Sequence, residues 1–273
     1  MRLCVLSSGS GGNSLWVEAG TTRALIDAGL PMRETRRRCL EAGLRFSELT
    51  DIFLTHEHAD HCHAAGILAR RLSVRVHATR GTMRALRDPP PEELRFAVRA
   101  GVPVQVGALR VTPVAVPHDA CEPVAYVFDD GAVRGAVVTD LGCAPPAVVR
   151  ELQGLDALVL EMNHDVRMLL EGPYPWSLKQ RIRSGRGHLS NVQGAELLAQ
   201  VLHGGLRHLT LAHLSEHNNT VLLARRAAEK VLARFGSIAQ LCVGSQGRSL
   251  DPVELEPARA VPLRRARQLA LFA

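Results

Sequence analysis

Short apolar runs alternate with polar, glycine-rich breaks along the first half of the chain. Leu3–Leu6, Leu15–Glu18 and Ala24–Ile26 have the character of strands separated by Gly-rich turns. Arg33–Ala42 carries the apolar spacing of a helix and stops at Gly43. Asp51–Thr55 predicts a short strand, Ala64–Arg71 a helix and Val74–His77 another strand. Arg110–Val116, Val124–Phe128 and Ala132–Val138 follow as successive strands, with a turn at Asp129–Gly131. Beyond residue 140 the pattern becomes strand, helix, strand, helix. Ala157–Leu160 and His208–Leu211 are the strands, Val192–Leu202 and Thr220–Phe235 the helices, and Leu241–Val243 a last strand. No linker or internal repeat breaks residues 1–250, which predicts one mixed α/β domain there. From Asp251 to the end, prolines, alanines and Arg264, Arg265 and Arg267 predict a loose basic tail.

Composition narrows the class. With 273 residues, 46% hydrophobic and 22% charged, the chain is neither disordered nor collagen-like. No apolar run approaches the roughly 18 residues of a membrane helix, so no membrane association is expected. The start, Met1–Ser14, lacks an apolar h-region and a cleavage site, and the six cysteines include no C-x-x-C pair. A cytoplasmic protein with free thiols is the expectation. The net charge is +6, and Lys179 and Lys230 are the only lysines among 33 basic residues. That bias is either compositional or a sign of phosphate contact, since guanidinium groups bind phosphate oxygens bidentately.

The densest chemistry lies at Thr55-His56-Glu57-His58-Ala59-Asp60-His61, directly after an apolar strand. A strand end delivers such a cluster onto a loop, where side chains can converge on an ion. Imidazole and carboxylate together suit zinc, manganese or iron. Three further candidates each follow a β run: His118, Asp140 and His213. Sites on open α/β sheets lie at such strand ends.

H-x-H-x-D-H at residues 56–61, followed by a lone His, a lone Asp and a lone His, resembles the metallo-β-lactamase fold. The resemblance implies an αββα sandwich: two facing mixed β-sheets with outer helices and a metal cleft at one edge between them. It also implies a pair of divalent ions, zinc or manganese. His56, His58 and His118 would hold one ion and Asp60, His61 and His213 the other, with Asp140 bridging. Asp27, in the segment Leu25–Gly29, would support the ligand loop from behind.

Six ordered motifs resemble more narrowly the YycJ/WalJ group of cytoplasmic bacterial nucleases. They are Ser7–Ser14, His118–Pro123, Thr139–Gly142, Glu161–Asp165, Gly187–Asn191 and Ala212–Asn219. This likeness implies a phosphodiesterase acting on nucleic acid, DNA ahead of RNA, as an exonuclease working 5′-to-3′. Two ions can lower the pKa of a water to about 7 and hold both oxygens of a displaced phosphate. Asp60 would orient the attacking hydroxide.

The leaving oxygen needs a proton donor outside the metal shell. His188, in Gly187–Asn191 ahead of a helix that Ser190 or Asn191 can cap, is the candidate general acid; bracing that helix is the alternative. Arg181, Arg183 and Arg186 either clamp a phosphate backbone or form a solvated helix face. The Gly-rich loop ending at Asn13 offers backbone N–H groups, and Asn13 itself, to a phosphate. Glu161, Asn163 and His164 brace the metal loops or meet substrate.

Other readings stay in view. His213–His217 matches the H-x-x-E-H pattern of inverted zinc proteases, but that pattern needs a helix where Leu209 and Leu211 alternate as a strand. Hydrolysis of a small phosphodiester, ester or thioester on the same metals is the enzymatic alternative. A DNA-binding module without catalysis would need no seven-residue metal shell. Oligomeric state is not written in the pattern.

Overall fold

The computed structural model describes residues 1–257. Fourteen strands are found there: β1 (Arg2–Ser7), β2 (Ser14–Ala19), β3 (Thr22–Ile26), β4 (Asp51–Phe53), β5 (Arg75–Thr79), β6 (Arg95–Val98), β7 (Val104–Val106), β8 (Leu109–Ala115), β9 (Val124–Asp129), β10 (Arg134–Val138), β11 (Ala157–Glu161), β12 (His208–Ala212), β13 (Gln240–Val243) and β14 (Val253–Glu254). They form two sheets, in the orders β14-β1-β2-β3-β4-β5-β6 and β13-β12-β11-β10-β9-β8-β7. Each sheet is antiparallel over one half and parallel over the other.

The period-2 rule explains how the sheets face each other. In β9, Val124, Tyr126 and Phe128 point to the other sheet, where they meet Val17, Ile26 and Phe53. Its alternate residues, Ala125 and Val127, pack on the far side with Leu198 of the helix Asn191–Val201 and Ala224 of the helix Val221–Phe235. In β1, Leu3 and Val5 face the inter-sheet core, while Cys4 and Leu6 face Cys39 and Leu68 of the helices Met32–Glu41 and Ala65–Leu72. Strands buried on both faces lie between helices, which is the expected αββα sandwich.

Three features differ from the pattern reading. Strands β6 and β7 are additional; both are sheet edges with exposed residues and lack a clear apolar run. Short helices at Arg80–Ala85, Pro146–Glu151, Val166–Glu171 and Trp176–Arg183 are additional as well. The segment from Asp251 does not begin as a loose tail. Val253 and Glu254 pair with Leu3 and Arg2, Leu255 is buried, and its carbonyl accepts from the Met1 amine at 3.1 Å. The expectation for Arg264, Arg265 and Arg267 falls outside the described residues.

β14 covers the outer edge of β1, so a chain cut after Leu250 loses a buried leucine and bares a strand edge. Burying a leucine contributes about 1.5–3 kcal/mol. The melting temperature of that truncated chain should fall by roughly 5–10 °C, with increased aggregation. An unchanged melting curve would show β14 to be dispensable.

Candidate metal centre

The strand ends supply the site, and they do so through unusual backbone. Asp27 follows β3, Asp140 lies two residues after β10, and His213 follows β12; their φ angles are 63°, 59° and 53°. Asp and His tolerate this left-handed region better than most residues, yet each such turn costs on the order of 1–3 kcal/mol. Local bonds hold the turns. The Asp27 N–H donates to the Phe53 carbonyl at 2.9 Å, and the His213 N–H donates to Ser8 Oγ at 2.7 Å. Leu141, next to Asp140, donates its N–H to Glu161 Oε2 at 3.0 Å. The loop after β4 adds His56 and His58, and the single turn Ala59–Cys62 presents Asp60 and His61.

In most of the histidines one ring nitrogen is tied to the protein and the other faces the centre. His61 Nδ1 lies 2.7 Å from Asp27 Oδ2, which also accepts from the Thr55 hydroxyl. His118 Nδ1 lies 3.0 Å from the Gly187 carbonyl, His213 Nδ1 3.0 Å from Glu161 Oε1, and His56 Nδ1 3.0 Å from Thr55 Oγ1. Such backing partners fix the ring and leave the second nitrogen free to coordinate. His118 Nε2 comes within 3.4 Å of His58 Nδ1. His61 Nε2 is 2.9 Å from Asp140 Oδ2 and 3.3 Å from Asp60 Oδ2, and His213 Nε2 is 3.5 Å from the same Asp60 oxygen. His56 Nε2 and His213 Nε2 are buried without a hydrogen-bond partner. Inward imidazole lone pairs beside carboxylates fit divalent ions. His56, His58 and His118 make one donor cluster, and Asp60, His61 and His213 another. Asp140 reaches toward both, with Oδ1 3.8 Å from His118 Nε2.

Charge balance points the same way. Burial opposes a proton on His61, but the carboxylates of Asp140 and Asp27 override it and raise the pKa well above the usual range. Burial likewise opposes charge on His213, and Asp140, Asp60 and Glu161 lift it to about 10. Burial would raise Asp140, yet the charges of His213 and His61 hold it low. For Glu161 burial is overridden by His188 and His213, which bring it down to about 2. Without ions, protons on imidazole supply the positive charge this carboxylate cluster demands.

A cleft of about 220 Å³ opens over the centre, walled by His58, Asp60, Asp140, His188 and His213, with Arg181 and Tyr174 at its mouth. His188 faces it with Nδ1 tied to Glu161 Oε1 at 2.8 Å. Arg181 is paired with Asp119. Arg183 is exposed and does not line the cleft. Arg186 is exposed, and its guanidinium donates to the His118 carbonyl at 3.2 and 3.3 Å, bracing the loop of that candidate ligand.

Asn13, expected to meet a phosphate, lies beneath the loops. It is buried, its Oδ1 accepts from the Gly9 N–H, and its Nδ2 donates to the Gly9 carbonyl and Asp60 Oδ2, so it supports the loops from beneath. Glu161, which the sequence reading left between bracing the metal loops and meeting substrate, is a brace. Wholly buried, it binds His188 and His213 through Oε1 and the N–H groups of Leu141 and Leu189 through Oε2. Its signal was its position at a strand end, shared with the candidate ligands.

Two facing mixed sheets carrying this centre at their strand ends define a metal-dependent hydrolase of the metallo-β-lactamase fold. Residues 22–214 match the family model described as the Beta-lactamase superfamily domain, and the chain belongs to that superfamily. It is 37% identical over 239 residues to "Exodeoxyribonuclease YycJ" of Bacillus anthracis, covering 86% of this chain and 90% of that one. It is 33% identical over 267 residues to "Exodeoxyribonuclease WalJ" of Streptococcus pneumoniae serotype 2 (strain D39 / NCTC 7466), covering 96% and 97%. The metallo-β-lactamase fold protein YhfI from Bacillus subtilis superposes with a TM-score of 0.69 at 16% identity, over 91% of this chain and 98% of that chain, which shows the shared fold.

Metal uptake should expel protons, because the ligand imidazoles must be neutral and His61 and His213 hold protons near neutral pH in the metal-free centre. The sign follows: metal affinity rises with pH across the neutral range. Calorimetry in buffers of different ionisation enthalpy should register about two protons released per chain. No proton release would contradict the charge balance described above.

Proposed function

We propose that the chain is a DNA exonuclease, working 5′-to-3′, that hydrolyses phosphodiesters with two divalent ions, zinc or manganese. His56, His58 and His118 would hold one ion, Asp60, His61 and His213 the other, with Asp140 shared and Asp27 fixing His61 from behind. The observation that carries this reading is the convergence of inward-facing imidazole nitrogens on Asp60 and Asp140, two of them buried without partners. The names of the two long-matching relatives support nucleic acid as the substrate and DNA as its kind. Free cysteines throughout support a cytoplasmic setting, and no described helix is long and apolar enough to cross a membrane.

When bound, the ion pair supplies Lewis-acid charge for the phosphate and a water of lowered pKa. The chain's own residues do the rest. Asp60, at the cleft wall, orients the nucleophile. Arg181, at the mouth, positions the next phosphate. His188 donates its Nε2 proton to the leaving oxygen. Its Nε2 has no partner among the described residues, while Nδ1 is anchored on Glu161. Burial opposes charge on His188, and the Glu161 carboxylate overrides it and raises the pKa, so the acid form is available. The Arg181 guanidinium beside the cleft favours a phosphodiester over the small ester or thioester of the alternative reading.

Asp140→Ala should weaken both metals, since it removes the shared anion; two tightly held ions in the variant would contradict the bridging role. His188→Ala should keep its metals and lose about 10²–10⁴ in rate on DNA. On a nitrophenyl phosphodiester, whose leaving group departs without a proton, the loss should nearly vanish. Equal losses on both substrates would mean that His188 only braces its loop. Arg181→Gln should weaken DNA binding across sequences and lower the salt slope by about 1. An unchanged slope would leave Arg181 without a phosphate.

A further inference from the structure

The chain has two tyrosines and two tryptophans. Trp16 and Tyr126 are fully buried, and their polar ends are satisfied by Glu18 Oε2 and the Leu54 carbonyl. The other pair stands two residues apart in Gly172-Pro173-Tyr174-Pro175-Trp176. Tyr174 lines the mouth of the metal cleft, and Trp176 is 59% exposed. Among the described residues neither the Tyr174 hydroxyl nor the Trp176 indole N–H has a hydrogen-bond partner.

The segment that carries them is stiff. Pro173 and Pro175 fix φ on either side of Tyr174. Lys179 is buried and donates to the Leu170 and Gly172 carbonyls, both at 2.7 Å, locking the turn between the helices Val166–Glu171 and Trp176–Arg183. A Cβ on Gly172 would lie 2.6 Å from Asn218 Oδ1, so the turn is also packed from behind. The Tyr174 ring meets the His217 ring edge-on, at 5.7 Å and 75°. Arg181, on the helix that Trp176 opens, brings a guanidinium plane to the same rim.

A tyrosine ring in the lining of a polar cleft that Arg181 also borders, with an exposed indole two residues further on, suits one kind of ligand chemistry. A phosphate enters the centre, and the flat apolar faces of the attached bases need a surface outside it. We infer that Tyr174 and Trp176 form a stacking platform for the unpaired nucleobases beside the scissile phosphate. The preferred substrate end is then single-stranded, because inside a duplex both faces of a base are already covered by its neighbours and only the terminal pair could stack. This inference rests on the nuclease reading above and adds the form of the substrate.

The test uses the metal-loaded protein and end-labelled single-stranded DNA, with either normal nucleotides or abasic tetrahydrofuran residues at the first three positions of the attacked end. Wild type should show a KM on the order of 10- to 100-fold higher on the abasic strand, the usual worth of a stacked base. Tyr174→Ala with Trp176→Ala should raise KM by a similar factor on the normal strand and add little on the abasic one. Tyr174→Phe should behave as wild type, since stacking needs no hydroxyl. Equal losses on both strands, or none on either, would overturn the platform, whereas failure of wild type to cut any strand would overturn the nuclease reading instead. Fluorescence gives a readout free of catalysis. Trp16 is buried, so an uncleavable phosphorothioate strand should quench wild-type emission and leave Trp176→Phe unquenched. Quenching retained in Trp176→Phe would remove Trp176 from the platform.

Discussion

Asp27, Asp140 and Glu161 are 2%, 3% and 0% exposed, and with Asp60 they crowd the ends of four strands from two sheets. Buried carboxylates without compensation are among the most expensive features a fold can contain. The surrounding structure is arranged to meet that demand. Thr55 gives Asp27 both its N–H and its hydroxyl, and Leu141 and Leu189 give Glu161 two N–H groups. Imidazoles supply the remaining positive charge as protons, or cede it to ions. The strained turns at Asp27, Asp140 and His213 exist because only a reversal at the strand end points those side chains at one another.

Glu161 gives the centre its internal connection. One oxygen receives His213, a candidate ligand, and His188, the candidate acid; the other collects backbone from the loops that follow β10 and precede the helix Asn191–Val201. Charge drawn from His213 toward an ion is therefore felt at the proton of His188. Arg186 and Asn13 contribute at one remove, holding the His118 carbonyl and the Asp60 loop.

The pattern of apolar runs revealed the central strands because β9, β10 and β11 are buried on both faces and read as hydrophobic stretches, while β12 shows the alternation of Leu209 and Leu211. β6, β7 and β14 escaped it because edge strands bury little and alternate weakly. In the centre, residue type and placement after strands exposed His56, His58, Asp60, His61, His118, Asp140 and His213 as a group. Direction was not legible. Nothing in the one-dimensional pattern tells that Asn13 points inward or that Arg186 binds a carbonyl while Arg181 opens on the cleft. Glu161 resembled any buried carboxylate at a strand end until its neighbours, 27 and 52 residues further along the chain, were in place.

The pairing of β1 with β14 also has a bearing on synthesis. Made before the other described strands, β1 receives its outer neighbour only when Val253 and Glu254 have emerged. At 5–20 residues per second, its edge waits on the order of ten to fifty seconds on the ribosome. During that interval an apolar strand with unpaired backbone groups is open to any passing chain. Closure of the first sheet is therefore a late event in synthesis, and chaperone dependence should concentrate in the nascent chain before Val253 and Glu254 emerge.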